Sequence, residues 1–114
     1  MSLVTFEDNL DNKVTEQYSS ATGPVLRGVD VELAKLSFKK GGGAREHSHP
    51  EEQIVFVLSG LARATVGGES YEVHPGQASY HPPNVPHSFE ILEDFEGLSF
   101  KHLVAPIYEA TGQL

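Results

Sequence analysis

Two short segments of the chain carry side chains with the types and spacing of a metal site. His47 and His49 lie two residues apart, so in a β-strand both imidazoles point to the same face. Gln53 follows four residues later, beyond the bend expected at Pro50. Imidazole nitrogens are favoured ligands of first-row divalent metals. Two of them on one strand face therefore indicate a site for a single ion.

His87 is predicted to complete this site. It begins a strand in which Phe89 and Ile91 share its parity, so its imidazole is expected to point inward. A single His among apolar residues is more often a hydrogen-bonded core residue than a ligand. Three inward His are different, because burying them without a metal or hydrogen-bond partners is costly. We therefore predict one divalent ion bound by four ligands: His47, His49, Gln53 and His87.

Composition excludes several other functions. The chain has 114 residues, enough for one domain, and its lack of cysteine excludes a thiolate metal site. The net charge of −8, with eight Lys and Arg in all, argues against binding to nucleic acid. The first twenty residues have no apolar stretch of the signal-peptide kind. No apolar run reaches membrane-spanning length, so we expect a soluble, cytoplasmic protein.

The elements that position the four ligands are predicted to be short antiparallel strands. Residues 1–24 have no clear period and end at Gly23-Pro24. They are predicted to form an N-terminal arm or edge strand that packs on a partner subunit or covers one end of the domain. Residues 25–114 alternate strand patterns with Gly and Pro turns, among them a hairpin signal at Gly67-Gly68. This pattern predicts an all-β domain, a small antiparallel barrel or sandwich.

One strand carries more apolar residues than a half-exposed sheet needs. The strand from Gln53 to Leu58 is expected to end at Ser59-Gly60, and its residues Ile54 to Leu58 are apolar at both parities. A strand with one wet face should alternate, so both faces are expected to be buried. We predict a homodimer that covers the second face. The alternative is a monomer in which the N-terminal arm covers it.

His102 is predicted to be a catalytic residue. In the last strand, Leu98, Phe100 and His102 share one parity and Lys101 has the other. If Lys101 faces water, His102 faces the interior, where its ordinary pKa suits an acid or base. A packed, hydrogen-bonded core His is an equally good interpretation.

The remaining polar residues near the predicted site give weaker signals. Glu51 and Glu52 are interpreted as solvated loop charges, with Glu51 the stronger alternative ligand. The direction of His81 cannot be read from the sequence, and His74 is expected to be exposed. Other residues could line the cavity or contact an anion, although core or surface roles are more common for them: Phe56, Tyr80, Phe89, Phe100, Arg45 and Arg63.

Both segments resemble the motifs of a known family. Gly41-x5-His47-x-His49-x3-Gln53-x6-Gly60 resembles the first cupin motif, and Gly76-x5-Pro82-x-Asn84-x2-His87 resembles the second. The resemblance implies an RmlC-like jelly roll, also called a double-stranded β-helix, with a metal bound by the four ligands. Asn84 replaces a usual Gly and tolerates a left-handed backbone, and Ile91 replaces a usual Asn. Gln53 stands where many members have Glu.

Gln53 also bears on the choice of ligand. Three imidazoles and an amide are neutral and leave the charge of a divalent ion uncompensated, which favours an anionic ligand such as a carboxylate, uronate or enolate. Zn, Ni, Fe, Mn and Co all suit such a donor set.

The two motifs are similar to those of KdgF-type cupins, which linearise unsaturated uronates. The similarity implies a metal-dependent isomerase or lyase that acts on a small sugar acid or related carboxylate. The C-terminal strand departs from that type, with His102 in place of an acidic residue and Tyr108 in place of an Arg. An iron- or copper-dependent dioxygenase and a non-catalytic binding or sensor module are the alternatives, because a fold does not decide a reaction.

Overall fold

The computed structural model describes residues 2–7 and 11–104, which contain seven β-strands and no helix. The strands are β1 (Val25–Arg27), β2 (Val31–Phe38), β3 (Gly43–His47), β4 (Gln53–Val66), β5 (Glu69–Val73), β6 (Ala78–His81) and β7 (His87–His102). Tyr108 lies outside the described residues. Within them, no helical segment could cross a membrane. The cytoplasmic location stays a prediction.

All strand pairs are antiparallel, and two long strands hold the sheet together. The order is β1-β2-β7-β4-β5, with β3 on β7 and β6 on β4. The first part of β7 pairs with β3 and its later part with β2. In β4 the first part pairs with β6 and the later part with β5. Because each long strand joins two parts of the sheet, the sheet curls into a small barrel around one core. The all-β prediction is confirmed.

Gly60 does not end a strand as expected but forms a bulge within β4. The pairing register with β7 shifts between Val57 and Ala62, and Gly60 has a φ of +90°. A Cβ at Gly60 would lie 2.2 Å from the backbone oxygen of Asp94. Only glycine fits both the backbone conformation and this close approach. The bulge lets one strand pass from one part of the barrel to the other.

The interior of the barrel is divided between an apolar and a polar end. Because side chains alternate along a strand, β2 points Glu32, Ala34, Leu36 and Phe38 inward. Apolar side chains from β4 and β7, including Val57 and Phe95, fill one end. The other end holds buried polar residues: Glu32, Glu51, Gln53, Ser79, His81, His87, Ser99 and Lys101. Every predicted metal ligand lies at or next to this polar end.

The described part of the N-terminal arm contacts the β2 and β3 side of the barrel. Thr22 bridges to Ser37, and Ser19 bridges to Ala44. Val14 packs against the core. The outer face of β4 stays open among the described residues, with Ile54 42% exposed. The homodimer predicted from that face therefore stays a prediction.

Gly60→Ala is expected to reduce the free energy of unfolding by about 3 kcal/mol, because the new Cβ meets backbone atoms as well as an unfavourable φ. Urea denaturation followed by circular dichroism measures the loss. Gly68→Ala is the matched control: Gly68 has a similar φ of +86° but open space around a built Cβ, and should lose only about 1 kcal/mol. Equal losses would show that the close approach at Gly60 is unimportant.

Candidate metal centre

The fold brings three imidazoles together from two adjoining segments. His47 ends β3 and pairs directly with His87, the first residue of β7. His49 follows in the next loop, and its ring centroid lies 4.8 Å from that of His87. One ring nitrogen from each of the three lies within 4.8 Å of the others. That spacing allows all three nitrogens to bind one ion.

Backbone carbonyl groups fix which nitrogen each ring offers. The Nδ1 of His47 donates to the Arg45 oxygen at 2.5 Å, and that of His87 donates to the Val85 oxygen at 3.0 Å. The Nδ1 of His49 donates to the Glu51 oxygen at 2.9 Å. Because a carbonyl only accepts, each neutral ring carries its proton on Nδ1 and leaves Nε2 with a free lone pair. This is the tautomer that a metal-binding imidazole with a supported Nδ1 needs.

Two of these lone pairs have no partner in the described part of the protein. His49 Nε2 and His87 Nε2 are buried and accept no hydrogen bond there. Leaving a buried acceptor unpaired costs about 1–3 kcal/mol, so a ligand for these atoms is expected. A divalent ion placed among the three rings would satisfy both atoms, and the donor set fits such an ion.

Burial keeps the three rings neutral. It lowers the pKa of His47 and of His49 to about 4, and it also lowers the pKa of His87. Imidazoles that are neutral at pH 7 can bind a metal without first losing a proton.

Gln53 points into the same cavity, as predicted. Its Nε2 donates to Ser99 Oγ at 2.8 Å, and its Oε1 accepts from His81 Nδ1 at 3.2 Å. These two bonds fix the orientation of the amide, and the oxygen keeps a second lone pair. The amide therefore lines the cavity with His47 and His87, and its role as a fourth ligand stays a prediction.

His81, whose direction the sequence left open, points inward. Its ring stacks on that of His87 with centroids 4.3 Å apart. Its Nε2 accepts a hydrogen bond from Ser79 Oγ at 2.9 Å, and the same Ser79 hydroxyl forms a 2.7 Å hydrogen bond with the Tyr71 hydroxyl. Burial lowers the pKa of His81 to about 3. With both nitrogens hydrogen-bonded, His81 supports Gln53 and His87 and is not placed as a ligand.

The predicted inward direction of His102 is wrong. His102 and Phe100 are exposed, and Lys101 is buried with 7% of its surface accessible. The prediction assumed that Lys faces water and apolar residues face the core, whereas the barrel interior is polar at this end and its outer face is apolar. The catalytic role assigned to His102 depended on that direction and has no support from this geometry.

The interpretation of Glu51 as a solvated charge is also wrong, whereas Glu52 is exposed as expected. Only 2% of Glu51 is accessible, and its Oε1 lies 3.5 Å from His49 Nδ1. Its Oε2 is buried and without a hydrogen-bond partner among the described residues. Burial raises the pKa of this carboxyl. A carboxylate behind a metal-binding imidazole raises the basicity of the ring, so Glu51 supports His49 from the side away from its free nitrogen.

Asn84 links the two loops that carry the histidines. Its φ of +63° confirms the left-handed backbone expected where the motif usually has Gly. Its backbone N–H donates to the His49 oxygen at 2.8 Å. The turn before His87 is therefore tied directly to the loop that carries His49.

The N-terminal arm covers the cavity. The Tyr18 ring stacks on His47 with centroids 3.6 Å apart and an interplanar angle of 17°. The cavity between the arm and the sheets has a volume of about 40 Å³, which is room for about three water molecules. Tyr18 thus restricts both the size and the access of the site.

The other residues considered from sequence mostly lie outside this cavity. Phe89 lines it, whereas Tyr80 and Phe100 are exposed on the outer face. Arg45 donates to the Gln17 backbone oxygen. Arg63 pairs on the surface with Glu72 and Glu90, and His74 is exposed as expected.

Comparison with known proteins identifies the family. The cupin domain model, Cupin_2, matches residues 34–99, more than half of the chain. The chain belongs to the cupin family. Two uncharacterized proteins match in sequence. One, from Methanocaldococcus jannaschii, is 33% identical over 58% of this chain and 54% of the relative. The other, from Streptomyces coelicolor, is 32% identical over 64% of this chain and 70% of the relative. The chain thus spans about half the length of the first.

Solved structures share the cupin fold over nearly the whole chain. A conserved protein of unknown function from Streptococcus pyogenes has a TM-score of 0.67 and 25% identity, covering 92% of this chain and 99% of that one. KdgF from Halomonas sp. has a TM-score of 0.68 and 19% identity, covering 91% and 90%. The RmlC-like architecture inferred from the two motifs is confirmed.

Tyr18→Ala is expected to accelerate uptake of Co²⁺ by the three histidines at least fivefold, because the ring that covers His47 is removed. Stopped-flow absorbance of the cobalt complex measures the rate. Tyr80→Ala removes an exposed ring from the outer face and should leave the rate unchanged. If both variants take up Co²⁺ at the wild-type rate, the arm does not control access.

Proposed function

We propose that this cupin binds one divalent metal ion through His47, His49 and His87, with Gln53 as the fourth ligand. We further propose that it acts there on a small anionic molecule, a sugar acid or related carboxylate, as an isomerase or lyase. The observation that carries the proposal is the pair of buried, unpartnered Nε2 atoms of His49 and His87. Each belongs to a ring whose other nitrogen is already bonded to a carbonyl.

The donor set supports a catalytic use of the metal. A bound divalent ion would polarise an oxygen atom of the ligand. Three His and one amide would leave open coordination positions on an ion that takes more than four ligands. The protein supplies lone pairs fixed in direction and a cavity that Tyr18 partly covers, and burial there strengthens electrostatic interactions.

The groups around the centre favour reactions that move a proton. Glu51 and Lys101 are both buried at the polar end, and both affect the pKa of other groups there. Acid and base groups beside a polarised carboxylate derivative suit isomerisation or elimination. The likeness to KdgF at 19% identity supports the fold alone, so the proposed anionic substrate class rests on the neutral donor set of the centre.

Metal analysis tests the proposal. Protein stripped with a chelator and reloaded is expected to retain one Zn²⁺ per chain, with His49→Gln and His87→Gln each weakening binding at least a hundredfold. Competition with a colorimetric chelator gives the affinities. His74→Gln, which removes an exposed imidazole, should bind as the wild type does. Wild-type affinity in both His49→Gln and His87→Gln would refute the site.

Turnover assays then separate the reaction classes. Loaded protein is incubated anaerobically with unsaturated uronates and short hydroxycarboxylates, and products are followed by NMR. Conversion without oxygen supports the isomerase or lyase. Substrate-dependent oxygen consumption would instead identify a dioxygenase, and thermal stabilisation without turnover would identify a binding module.

We also propose that the protein is a homodimer that buries the outer face of the sheet. One row of apolar side chains crosses five strands there, each directly opposite the next: Leu26, Leu33, Phe100, Ile54 and Tyr80. Four of the five are between 42% and 49% exposed. Contiguous apolar patches of this kind mark interaction surfaces.

Charge at the edges of this face favours a second copy as the occupant. The groove over the face has a volume of about 620 Å³, with Arg27 among the β1 residues on one side and Glu52 beside β4 on the other. In a two-fold arrangement, Arg27 can approach Glu52 of the partner subunit, and the same contact recurs by symmetry. An apolar interface centre with oppositely charged residues at its rim would limit the repulsion between two chains that each carry a net charge of −8.

Phe100→Glu is expected to convert the dimer to a monomer, because it places two carboxylates in the centre of the apolar interface. Analytical ultracentrifugation at micromolar concentration measures the mass. Val29→Glu, at an apolar position 93% exposed in a turn, should stay dimeric. A monomeric wild type would refute the proposed dimer and leave the metal proposal intact.

A further inference from the structure

Lys101 occupies a central place on the inner wall of the barrel. In β7 it lies directly opposite Glu32 of β2 on one side and Gln53 of β4 on the other. It lines the cavity together with His47, Gln53 and His87. Its side chain therefore reaches the same space as His47 and His87.

Lys101 is buried, and its ammonium group forms no ion pair among the described residues. Arg27 takes up the carboxylate of Glu32, with its Nε and Nη2 both 3.0 Å from Glu32 Oε2. Within the described ranges, no carboxylate oxygen lies within 4.0 Å of Lys101 Nζ. Glu32 and Glu51 are near enough to favour its charged form, against burial, which lowers its pKa. A nearly buried ammonium without a close counter-ion is costly, which points to a partner that enters from outside.

We propose that Lys101 binds the carboxylate of the ligand and so determines specificity for anions in this cavity. The proposal rests on the proposed function, since three of the proposed metal ligands, His47, Gln53 and His87, line the same cavity. An ammonium and a carboxylate form a short, charge-assisted hydrogen bond. The ligand's carboxylate then provides Lys101 with the ion-pair partner that neither Glu32 nor Glu51 provides.

The cavity also limits the size of that ligand. With Tyr18 stacked on His47, the space of about 40 Å³ corresponds to about three water molecules. This suits a carboxylate of two or three carbon atoms, such as glycolate. A hexuronate requires that the arm first move away from His47.

Isothermal titration of the Zn²⁺-loaded protein with glycolate tests the role of Lys101. Lys101→Met keeps a side chain of similar length and removes its charge. This variant is expected to bind glycolate at least tenfold more weakly while retaining one Zn²⁺ per protein molecule. Lys39→Met makes the same change at an exposed position and should bind as the wild type does. Wild-type glycolate affinity in a Lys101→Met protein that holds one Zn²⁺ would overturn the proposal.

A second titration needs no variant and covers the case in which Lys101→Met does not fold. Wild-type protein is titrated with glycolamide, a neutral molecule of nearly the same shape, and is expected to bind it at least tenfold more weakly than glycolate. Equal binding, or no binding of glycolate, would overturn the proposal.

Failure of the metal site is recognised separately. If the wild type takes up no Zn²⁺, the proposed function fails, and the same two titrations on the metal-free protein decide the role of Lys101. If the metal-free wild type prefers glycolate to glycolamide and Lys101→Met loses this preference, the proposed role of Lys101 is supported. If the metal-free wild type shows no preference, that role is overturned.

Discussion

The site depends on three hydrogen bonds from imidazole Nδ1 atoms to backbone carbonyl groups. Those of His47 and His87 reach back two residues, to Arg45 and Val85, and that of His49 reaches forward two, to Glu51. Each bond fixes both the direction of the ring and the position of its proton. Burial then keeps the rings neutral, so that one nitrogen lone pair of each ring can face a common point. Those of His49 and His87 are buried without a partner among the described residues. This arrangement is unfavourable without a ligand, and a divalent ion is the ligand that fits it.

The rest of the fold holds these three rings at one place. The bulge at Gly60 allows β4 to serve both parts of the barrel, and the pairing of His47 with His87 brings β3 to the start of β7. Asn84 then ties the two histidine-bearing loops by a backbone hydrogen bond. A second layer of polar contacts, from Tyr71 through Ser79 and His81 to Gln53, reaches the rings from behind.

Much of this was predictable from the sequence, because two motifs with fixed spacing carry it. The inward direction of His87 follows from strand parity, and the left-handed backbone of Asn84 follows from the turn that its motif requires. The predicted directions of Lys101 and His102 were wrong because strand parity was combined with the assumption that polar side chains face water. At a binding cavity the inner face of the sheet is polar instead. Glu51 lies in a loop, where no periodicity indicates burial. The hydrogen-bonded chain through His81 depends on pairing between β4 and β6, which local sequence does not specify.

The central claim is that three Nδ1-protonated imidazoles offer their Nε2 atoms to one metal ion. Long-range ¹H–¹⁵N correlation spectra of the imidazoles test it directly at pH 7. We expect the Nδ1–H tautomer for His47, His49 and His87 in metal-free protein, with only their Nε2 resonances shifting strongly when one equivalent of Zn²⁺ is added. Rings protonated at Nε2, or Nε2 resonances that Zn²⁺ leaves unchanged, would contradict it.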